Sequence, residues 1–398
     1  MERKGILSGM KVLDLSRVLA GPYCCMMLAD MGADIIKIER PGVGDDSRNF
    51  GPFVNGESSY FMNLNRNKRS MTLDLKSEKG KEIFLELVKK CDVVVENYRP
   101  GTMEKLGLGY DVLKEVNPGL IYGSVSGFGH YGPYSPRPGY DIIAQAMSGL
   151  MSTTGWPDGE PTRTSTAIGD ILGGLNCCLG ILAAYTNRLK TGCGEKVDVA
   201  LVDAVVSGLE VINQIYLSSG RVPQRIGNRY ESAYPYDSFR ASDGSFVMSC
   251  GNNKLFNSFC QMMGMPELTE DPRFCDNRVR VQNPAPLKEI IEQWLSDRKC
   301  EEIIDQLTEI GIPAAPILTI DQVTEDPHIA YAREMFVKME HPIAGEMRIT
   351  GTPIKFSNNK VVFEKAAPLL GADTESILAE YLGIDAEEVQ QLRQEGAV

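Results

Sequence analysis

One carboxylate in this chain stands where two kinds of chemistry are possible. Asp170 lies between the small residue Gly169 and the apolar stretch 171–185, which predicts a buried helix. An aspartate at such a point commonly caps the helix by accepting hydrogen bonds from its first free N–H groups. The alternative is a nucleophile at the mouth of a crevice, kept ionised by the same helix end. The local sequence favours the cap, so the rest of the chain has to decide.

Cationic side chains form the second group of residues that could take part in binding or chemistry. They recur at or just after the ends of predicted strands, and they are Arg17, Arg40, Arg66, Lys68, Arg69, Arg99 and Lys105. Ligands of doubly wound sheets bind beyond the carboxyl ends of the strands. Each cation alone would be an ordinary solvated surface charge. Several at one edge predict a multiply phosphorylated ligand.

The residues do not favour a nucleotide site of the common types, a metal site or a Ser-His-Asp site. No G-x-G-x-x-G follows the first predicted strand and no P-loop lysine is present, which disfavours an ordinary NAD or kinase site. His130, His328 and His341 are the only histidines, so we expect neither a metal cluster nor a Ser-His-Asp arrangement. The ten cysteines include no C-x-x-C, and we expect reduced and mostly buried thiols.

The elements that must position these residues have the order of a doubly wound α/β domain. Strand, helix and strand are predicted at 11–15, 23–31 and 34–38, a unit that implies a right-handed crossover and a parallel sheet. The pattern continues with strands and helices at 70–75, 80–90, 92–96, 109–116 and 120–125. A loop region at 126–165, with a helix at 141–151, precedes the Asp170 segment, and a strand at 196–199 and a helix at 202–217 follow it.

A change of composition near residue 220 predicts a second domain. Strands at 236–241 and 245–249 flank Asp243-Gly244, a typical hairpin turn. Helices at 285–295 and 300–310 complete a small α+β domain, and two short helices end the chain. A length of 398 residues agrees with two domains.

The overall charge and hydropathy narrow the class of protein. Forty-one basic and 53 acidic side chains give a net charge of −12, which argues against nonspecific binding to nucleic acid or to anionic membranes. The first residues show no apolar segment of a signal peptide, and we find no apolar run of about 18 residues. We therefore expect a cytoplasmic protein without membrane partners.

Motifs along nearly the whole chain resemble those of one family. The chain resembles the family III CoA-transferases, which include formyl-CoA, carnitine and bile-acid CoA-transferases and the related α-methylacyl-CoA racemases. The resemblance rests on residues 19–22 (LAGP), 32–41 (GADIIKIERP), 67–70 (NKRS), 94–101 (VVENYRPG), 137–141 (RPGYD), 169–170 (GD), 190–195 (KTGCGE) and 368–371 (PLLG). In combination these motifs are highly specific.

The resemblance implies a particular architecture. It predicts a Rossmann-like large CoA-binding α/β domain built from both chain ends, with a small α+β domain inserted between them. The boundaries would be 1–225 for the first part of the large domain, 226–325 for the small domain and 326–398 for a return segment that completes the large domain. It also implies a homodimer whose two subunits interlock like rings.

The resemblance further implies a chemical role for Asp170. Its carboxylate would attack a donor acyl-CoA to give a mixed anhydride, and the released CoA thiolate would then form an aspartyl-CoA thioester. An incoming carboxylic acid would take over the CoA. This route needs no general base, since a thioester is an activated substrate. We expect the helix end to favour the oxyanion, and Gly169, Gly173 and Gly174 to admit the thioester closely.

The resemblance also assigns contacts to coenzyme A, which would act as a substrate, with no permanently bound cofactor and no metal. Leu19 and Ala20 would contact it at the first turn, and Arg40 near the adenine and phosphates. Tyr140 and Asp141 would face the pantetheine end and the acyl site. Further contacts would come from Leu73 to Lys76, Asn97, Tyr98, Arg99 and Lys105.

Two departures from the family patterns bear on the substrate. Formyl-CoA transferases carry Gln at the position of Leu19 and a glycine run near residues 250–253, where this chain has CGNN. A larger or more apolar acid is therefore favoured over formyl or oxalyl groups. The residues leave the donor and the acceptor open among dicarboxylates, hydroxy acids, aryl acids, carnitine-like acids and sterol acids.

The rival function within the family is an α-methylacyl-CoA racemase. That branch pairs its aspartate with a histidine at the position of Tyr140, and a tyrosine is not a credible base at neutral pH. His130 lies ten residues earlier and is expected in an exposed loop. Transferase is thus favoured over racemase. A non-catalytic CoA-binding or scaffolding protein is the third hypothesis, and an intact Asp170 speaks against it.

Overall fold

The computed structural model describes residues 5–359, 361 and 363–398. The expectation that no signal peptide is present concerns residues 1–4 in part, and these lie outside the described residues. Contacts divide the chain into two compact units. The first unit contains residues up to 150, 163–220 and 327–398, and the second contains 151–162 and 221–326. The segment 151–162 was predicted as part of a loop region of the large domain. It packs with the second unit because Arg225 Nη2 donates to the Gly159 carbonyl at 2.7 Å and Gly227 N donates to the Gly155 carbonyl at 3.0 Å.

A six-stranded sheet forms the centre of the first unit. Its strands are β1 (Lys11–Asp14), β2 (Asp34–Glu39), β3 (Lys68–Thr72), β4 (Val93–Glu96), β5 (Ile121–Ser126) and β6 (Lys196–Ala200). The spatial order is β3-β2-β1-β4-β5-β6, and every neighbouring pair is parallel. The predicted α/β class with a parallel sheet is therefore confirmed. Strand β3 begins two residues before its predicted start.

Both faces of this sheet are covered by helices, which explains its continuous apolar strands. On one face Leu13, Ile36 and Val94 pack against helix Glu78–Val88 and the C-terminal helices. On the other face Val12, Ile35 and Val93 pack against helix Ala20–Asp30 and the helix that carries Asp170. Alternate residues of each strand thus serve two separate hydrophobic clusters.

The helix that carries Asp170, Ile168–Thr191, is called the Asp170 helix below. It spans 24 residues and, judged by length and composition alone, could cross a membrane. The shorter predicted stretch 171–185 did not indicate a helix of that length. The buried residues Cys177, Cys178 and Ile181 of the Asp170 helix pack in the cluster over the sheet, and core helices of globular proteins meet the same criteria.

Further elements complete the first unit. Helix 202–217 was predicted as continuous but breaks after Gly208, because Leu209 and Glu210 leave helical geometry and Glu210 has φ 33°. The remaining elements are helices Ser59–Leu64, Thr102–Lys105, Tyr110–Val116, Asp141–Met147, Leu201–Gly208, Glu210–Ser219, Thr374–Leu382 and Ala386–Gln394, the helical turns Asp46–Asn49 and Pro327–Ala332, and the hairpins Phe53–Val54 with Glu57–Ser58 and Phe336–His341 with Gly345–Thr350. Helix Leu150–Thr153 begins in the first unit, and its residues from 151 onward belong to the second.

The second unit is built on a three-stranded antiparallel sheet. Strands Tyr236–Ala241 and Gly244–Ser249 form the predicted hairpin, and Ala314–Pro316 pairs with the second of them. Buried residues of helices Asn253–Met263, Pro284–Leu295 and Cys300–Glu309 pack on one face of this sheet. Shorter helical segments lie at Pro266–Thr269, Asn277–Arg280 and Ile320–Glu325.

The cysteines are free, as expected. Seven of the ten are buried, and Cys300 is partly exposed. Only Cys193, in the first unit, and Cys275, in the second, are exposed. Cys24, Cys25, Cys177 and Cys178 share the cluster between helix Ala20–Asp30 and the Asp170 helix, so these thiols act as small packing residues there.

Candidate active site

Two cavities lie beyond the carboxyl ends of the central strands. The first, called the Asp170 cleft, has a volume of about 170 Å³, and its lining includes Asp170, Leu19, Tyr140 and the loop after β4. The second, called the Arg40 cavity, has a volume of about 350 Å³ and lies over the ends of β2 and β3. Arg17, Asp46 and Tyr98 line both. The two cavities therefore share a wall and together offer a long binding surface at the sheet edge.

Most of the predicted site residues line these two cavities. Those in the Asp170 cleft are Leu19, Ala20, Asn97, Tyr98, Arg99, Tyr140 and Asp170, and those in the Arg40 cavity are Arg40, Leu73, Lys76 and again Tyr98. Lys105 and Asp141 line neither one. Arg137, which also lines the cleft, was not assigned a contact, although it stands in the same motif as Tyr140.

The start of the Asp170 helix is not capped by the predicted residue. Ala167 is the N-cap residue and makes no side-chain cap bond, so Asp170 is the third helical residue and the capping interpretation is wrong. The cap comes instead from Asp141, whose Oδ1 accepts a hydrogen bond from Gly169 N at 2.8 Å. Gln145 Nε2 donates to Asp141 Oδ2 at 2.7 Å. Asp141 is buried, so it fixes the helix start and does not face the cleft, contrary to its predicted role.

Two glycines bring this helix start close to its neighbours. A Cβ atom at Gly174 would lie 2.4 Å from the carbonyl oxygen of Ala20, and one at Gly173 would lie 2.6 Å from Leu201 Cδ2. The contact at Gly174 is with backbone and excludes a side chain there, whereas a side chain at Gly173 would require Leu201 to move. These glycines were expected to admit the thioester, but they admit the neighbouring chain segments. They thereby place Leu19 and Ala20 beside Asp170 in the cleft.

The surroundings of the Asp170 carboxyl group raise its pKa. Burial raises its pKa to about 7, and the nearby charge of Asp141 contributes in the same direction. Within the described part of the chain, no hydrogen-bond donor reaches this carboxylate. The helix end was expected to keep this group ionised, but burial and the charge of Asp141 raise its pKa. Near neutral pH this group is therefore present both as the acid and as the carboxylate.

The loop that follows β1 is held in a strained shape at the cleft. Val18 has φ 65°, a left-handed conformation that is unfavourable for a β-branched residue. Asp45 Oδ1 accepts from Val18 N at 3.1 Å. Asn97 accepts from Arg17 N at 2.8 Å and donates to the Arg17 carbonyl at 2.7 Å. Both polar atoms of the Asn97 amide are therefore engaged by this loop, which it positions beside the cleft.

Part of the predicted cationic edge is structural. Lys68 Nζ lies 2.9 Å from Asp14 Oδ2 and also donates to the Pro22 carbonyl, and both side chains are fully buried. Burial alone would raise the pKa of Asp14, but Lys68 and Lys37 outweigh it and lower that pKa. Arg66 and Arg69 form ion pairs with acids of their own unit. Lys68, Arg66 and Arg69 are thus unavailable as phosphate ligands, whereas Arg17, Arg40 and Arg99 line the cavities.

His130 was expected in an exposed loop, but its side chain is only 10% exposed. Its Nδ1 lies 3.1 Å from Lys196 Nζ, and its Nε2 lies 3.5 Å from Glu96 Oε1. Burial raises the pKa of Glu96 to about 8. Glu96 Oε2 accepts from Tyr98 N at 2.7 Å, so this buried cluster supports the loop that lines both cavities. His130 itself lines neither cavity.

Comparisons with known proteins point to one family over nearly the whole chain. The model of CoA-transferase family III matches residues 7–374. An acetyl-CoA:oxalate CoA-transferase of Acetobacter aceti is 41% identical over 385 residues, which cover 96% of this chain and 97% of that protein. A succinyl-CoA:glutarate CoA-transferase of Mus musculus is 39% identical over 393 residues, which cover 98% and 90%. A CAIB/BAIF family protein of Brucella suis has a crystal structure with a TM-score of 0.83 at 40% identity, covering 95% of this chain and 100% of that one.

Proposed function

Since the chain belongs to CoA-transferase family III and moves coenzyme A from an acyl-CoA to a carboxylic acid, we propose that Asp170 carries the coenzyme covalently during the transfer. The observation that supports this most directly is the position of Asp170. Its carboxyl group lines a cleft that shares Arg17 and Tyr98 with a second, cation-lined cavity. A phosphorylated ligand bound along both would have its far end at Asp170.

The proposed reaction proceeds in two balanced halves. The Asp170 carboxylate attacks the thioester carbonyl of the donor, which gives a mixed anhydride and releases the CoA thiolate. The thiolate attacks the Asp170 carbonyl of the anhydride, which releases the donor acid and leaves an aspartyl-CoA thioester. The acceptor carboxylate then attacks this thioester, and the thiolate returns to the acceptor carbonyl. Asp170 is restored, and no net proton is gained or lost.

The site supports these steps through desolvation and fixed dipoles. A partly buried carboxylate is poorly hydrated, which makes its ionised form a better nucleophile than an exposed one. The N-terminal turn of the Asp170 helix favours negative charge on the oxyanion that forms at the attacked carbonyl. Arg40 and Lys76 would hold the phosphate and adenine end of the coenzyme, and Arg99 would lie along the cleft. These contacts follow from the lining of the two cavities.

We propose short dicarboxylic acids as the substrates. The two relatives described above are named for acetyl-CoA with oxalate and for succinyl-CoA with glutarate. This proposal replaces the expectation of a larger or more apolar acid, because both relatives are similar to this chain over nearly their whole length and their names include short diacids.

The substrate proposal is tested with a panel. Acetyl-CoA and succinyl-CoA are each combined with oxalate, succinate, glutarate, butyrate and benzoate, and mass spectrometry identifies the new thioesters. We expect the dicarboxylates to give acyl-CoA products. Products from benzoate or butyrate alone would contradict the substrate class.

A racemase activity is not favoured by the site. Tyr140 is 73% exposed at the cleft where that branch has histidine, and His130 is engaged with Lys196 and Glu96. Incubation of a 2-methylacyl-CoA in deuterated water separates the two functions. The transferase should leave the α-hydrogen in place, and steady incorporation of deuterium would instead support the racemase.

Replacing Asp141 with asparagine should shift the pH dependence of the first half-reaction. Asp170 attacks as a carboxylate, so kcat/KM for the donor should fall about tenfold per pH unit below its pKa of about 7. The Asp141→Asn change removes the neighbouring charge but keeps an oxygen to accept from Gly169 N. The pKa of Asp170 should therefore fall, and the acidic limb should move to lower pH. Burial is the larger cause of the raised pKa, so the limb should stay above that of an ordinary aspartate.

The pH experiment has a matched control in Asp203→Asn. Asp203 lies in the first turn of another helix of the same unit, and its charge is not among the causes of the raised Asp170 pKa. That variant should keep the midpoint of the wild type. An unchanged midpoint in Asp141→Asn would show that the two carboxyl groups are not electrostatically linked.

We also propose an interlocked homodimer, as the family resemblance implies, and a location in the cytoplasm, as expected from the sequence. Light scattering should give a mass of twice 43.8 kDa. The mass should not decrease on dilution of the native protein, because interlocked subunits separate only on unfolding. Cell fractionation would test the location. A monomer at any native concentration would contradict the interlocked assembly.

A further inference from the structure

A third cavity lies next to Asp170 in the first unit. This space, called the Arg163 cavity, has a volume of about 680 Å³. Its lining includes Ala167 and Ile171, which flank Asp170 in the sequence, and Leu19, which it shares with the Asp170 cleft. Much of the rest is apolar, with methionines from helix Ala20–Asp30 and from residue 335. The two spaces share Leu19, so an acyl chain that extends past Leu19 from a thioester at Asp170 would enter this cavity.

Two guanidinium groups line this cavity, and their electrostatic states differ. Arg66 is buried and forms two hydrogen bonds to the carboxylate of Asp30, at 3.0 Å and 2.6 Å, so its charge is compensated. Arg163 is exposed, and its donors reach only the carbonyls of Thr164 at 2.8 Å and Ser165 at 2.6 Å. Among the described residues, no carboxylate lies within 4 Å of Arg163. Its positive charge is therefore uncompensated in the wall of this cavity.

The loop that carries Arg163 is tied to the start of the Asp170 helix. Gln145 is buried and its Oε1 accepts from Thr164 N at 2.9 Å. The same side chain donates to Asp141, and Asp141 holds Gly169. One hydrogen-bonded chain thus connects the residue after Arg163 to the residue before Asp170. The separation between the backbone at Arg163 and the backbone at Asp170 is therefore held by the fold.

On the basis of the proposed transfer function, we propose that Arg163 binds the distal carboxylate of a dicarboxylic substrate and makes the enzyme select diacids. A dianionic acid would be repelled by ionised Asp170, and a fixed guanidinium offsets that repulsion and pairs with a carboxylate in two-pronged geometry. The monoacid of the same length gains nothing from this cation. Because the separation is held, Arg163 also favours diacids of a limited range of lengths.

The kinetic test replaces Arg163 with glutamine and compares glutarate with pentanoate, in which a methyl group stands for one carboxylate. With acetyl-CoA as donor, kcat/KM for glutarate should fall about 10²-fold, chiefly through KM, as expected for the loss of one charged partner. The kcat/KM for pentanoate should stay within about twofold of the wild-type value. Arg163→Lys should recover part of the glutarate activity. Arg278→Gln, which removes an equal charge from the second unit, should change neither value.

A binding measurement separates this proposal from the transfer function itself. In an Asp170→Ala background, calorimetry would compare the affinities for glutaryl-CoA and pentanoyl-CoA with Arg163 present and replaced by glutamine. We expect only the glutaryl-CoA affinity to fall. Equal losses for both ligands, or no loss for either, would overturn the role of Arg163. A wild type that binds with this preference but transfers CoA to no acid would overturn the proposed function and leave the role of Arg163 standing.

Discussion

Asp170→Ala should abolish transfer of coenzyme A to every acceptor acid while the affinity for coenzyme A changes by no more than a few-fold. We expect kcat to fall by about 10⁴-fold or more, the magnitude seen when a covalent nucleophile is removed. The reason is that Asp170 would hold the coenzyme between the two halves of the reaction. The coenzyme is proposed to bind through the cationic lining of the Arg40 cavity and the cleft, which this change leaves intact.

The covalent role of Asp170 is tested by trapping. Wild-type protein is incubated with an acyl-CoA and then treated with hydroxylamine or borohydride, and peptide mass spectrometry locates the modified residue. We expect the adduct on the peptide that contains Asp170 and on no peptide of Asp170→Ala. Calorimetry with free coenzyme A shows that the variant still binds. Full activity in the variant, or an adduct on a different residue, would disprove the mechanism.

Lys68→Met should destabilise the first unit by about 3–5 kcal/mol, the usual cost of leaving one member of a buried ion pair without its partner. Lys68 Nζ bonds Asp14 Oδ2 and Asn65 Oδ1, both at 2.9 Å, and none of these side chains is accessible to water. Methionine fills similar space but leaves the Asp14 carboxylate buried with less compensation. Asp14 also bonds the backbone of Ser16, so the damage should spread to the loop at the cleft.

The stability change is measured by urea unfolding followed by circular dichroism. Both tryptophans, Trp156 and Trp294, belong to the second unit, so their fluorescence would miss unfolding of the first. Lys79→Met is the control, because it breaks a surface pair with Glu82 and should cost about 0–1 kcal/mol. If Lys68→Met costs no more than this control, the buried network contributes little to stability.

The sequence predicts the strands of the central sheet well where a continuous apolar run identifies them. Val12 and Leu13, Ile35 and Ile36 serve opposite faces, and such runs indicate buried parallel strands without further information. The start of β3 was missed because it begins with Lys68, a charged residue that ordinarily marks a surface. Lys68 is buried because its partner Asp14 stands 54 residues earlier, and no local pattern shows such a pairing.

The site was predictable in outline and not in its electrostatics. The ends of the strands and the family motifs identified most residues that line the two cavities. The cap of the Asp170 helix comes from Asp141, 28 residues before Gly169, so the local pattern at Asp170 suggested the wrong capping residue. The raised pKa of Asp170 results from burial by distant segments, and His130 is enclosed by Glu96 and Lys196. The raised pKa and the burial of His130 both depend on tertiary contacts, which the sequence pattern alone does not reveal.

The distribution of thiols has a practical consequence for measuring motion. Cys193 and Cys275 are the exposed cysteines, and one lies in each compact unit. The wild-type chain therefore offers a native attachment point for one fluorescent dye on each unit, and a single Cys300→Ser change would remove the partly exposed third thiol. Energy transfer between a donor and an acceptor dye at these positions would record the distance between the units at each stage of turnover, with no cysteine added to the protein.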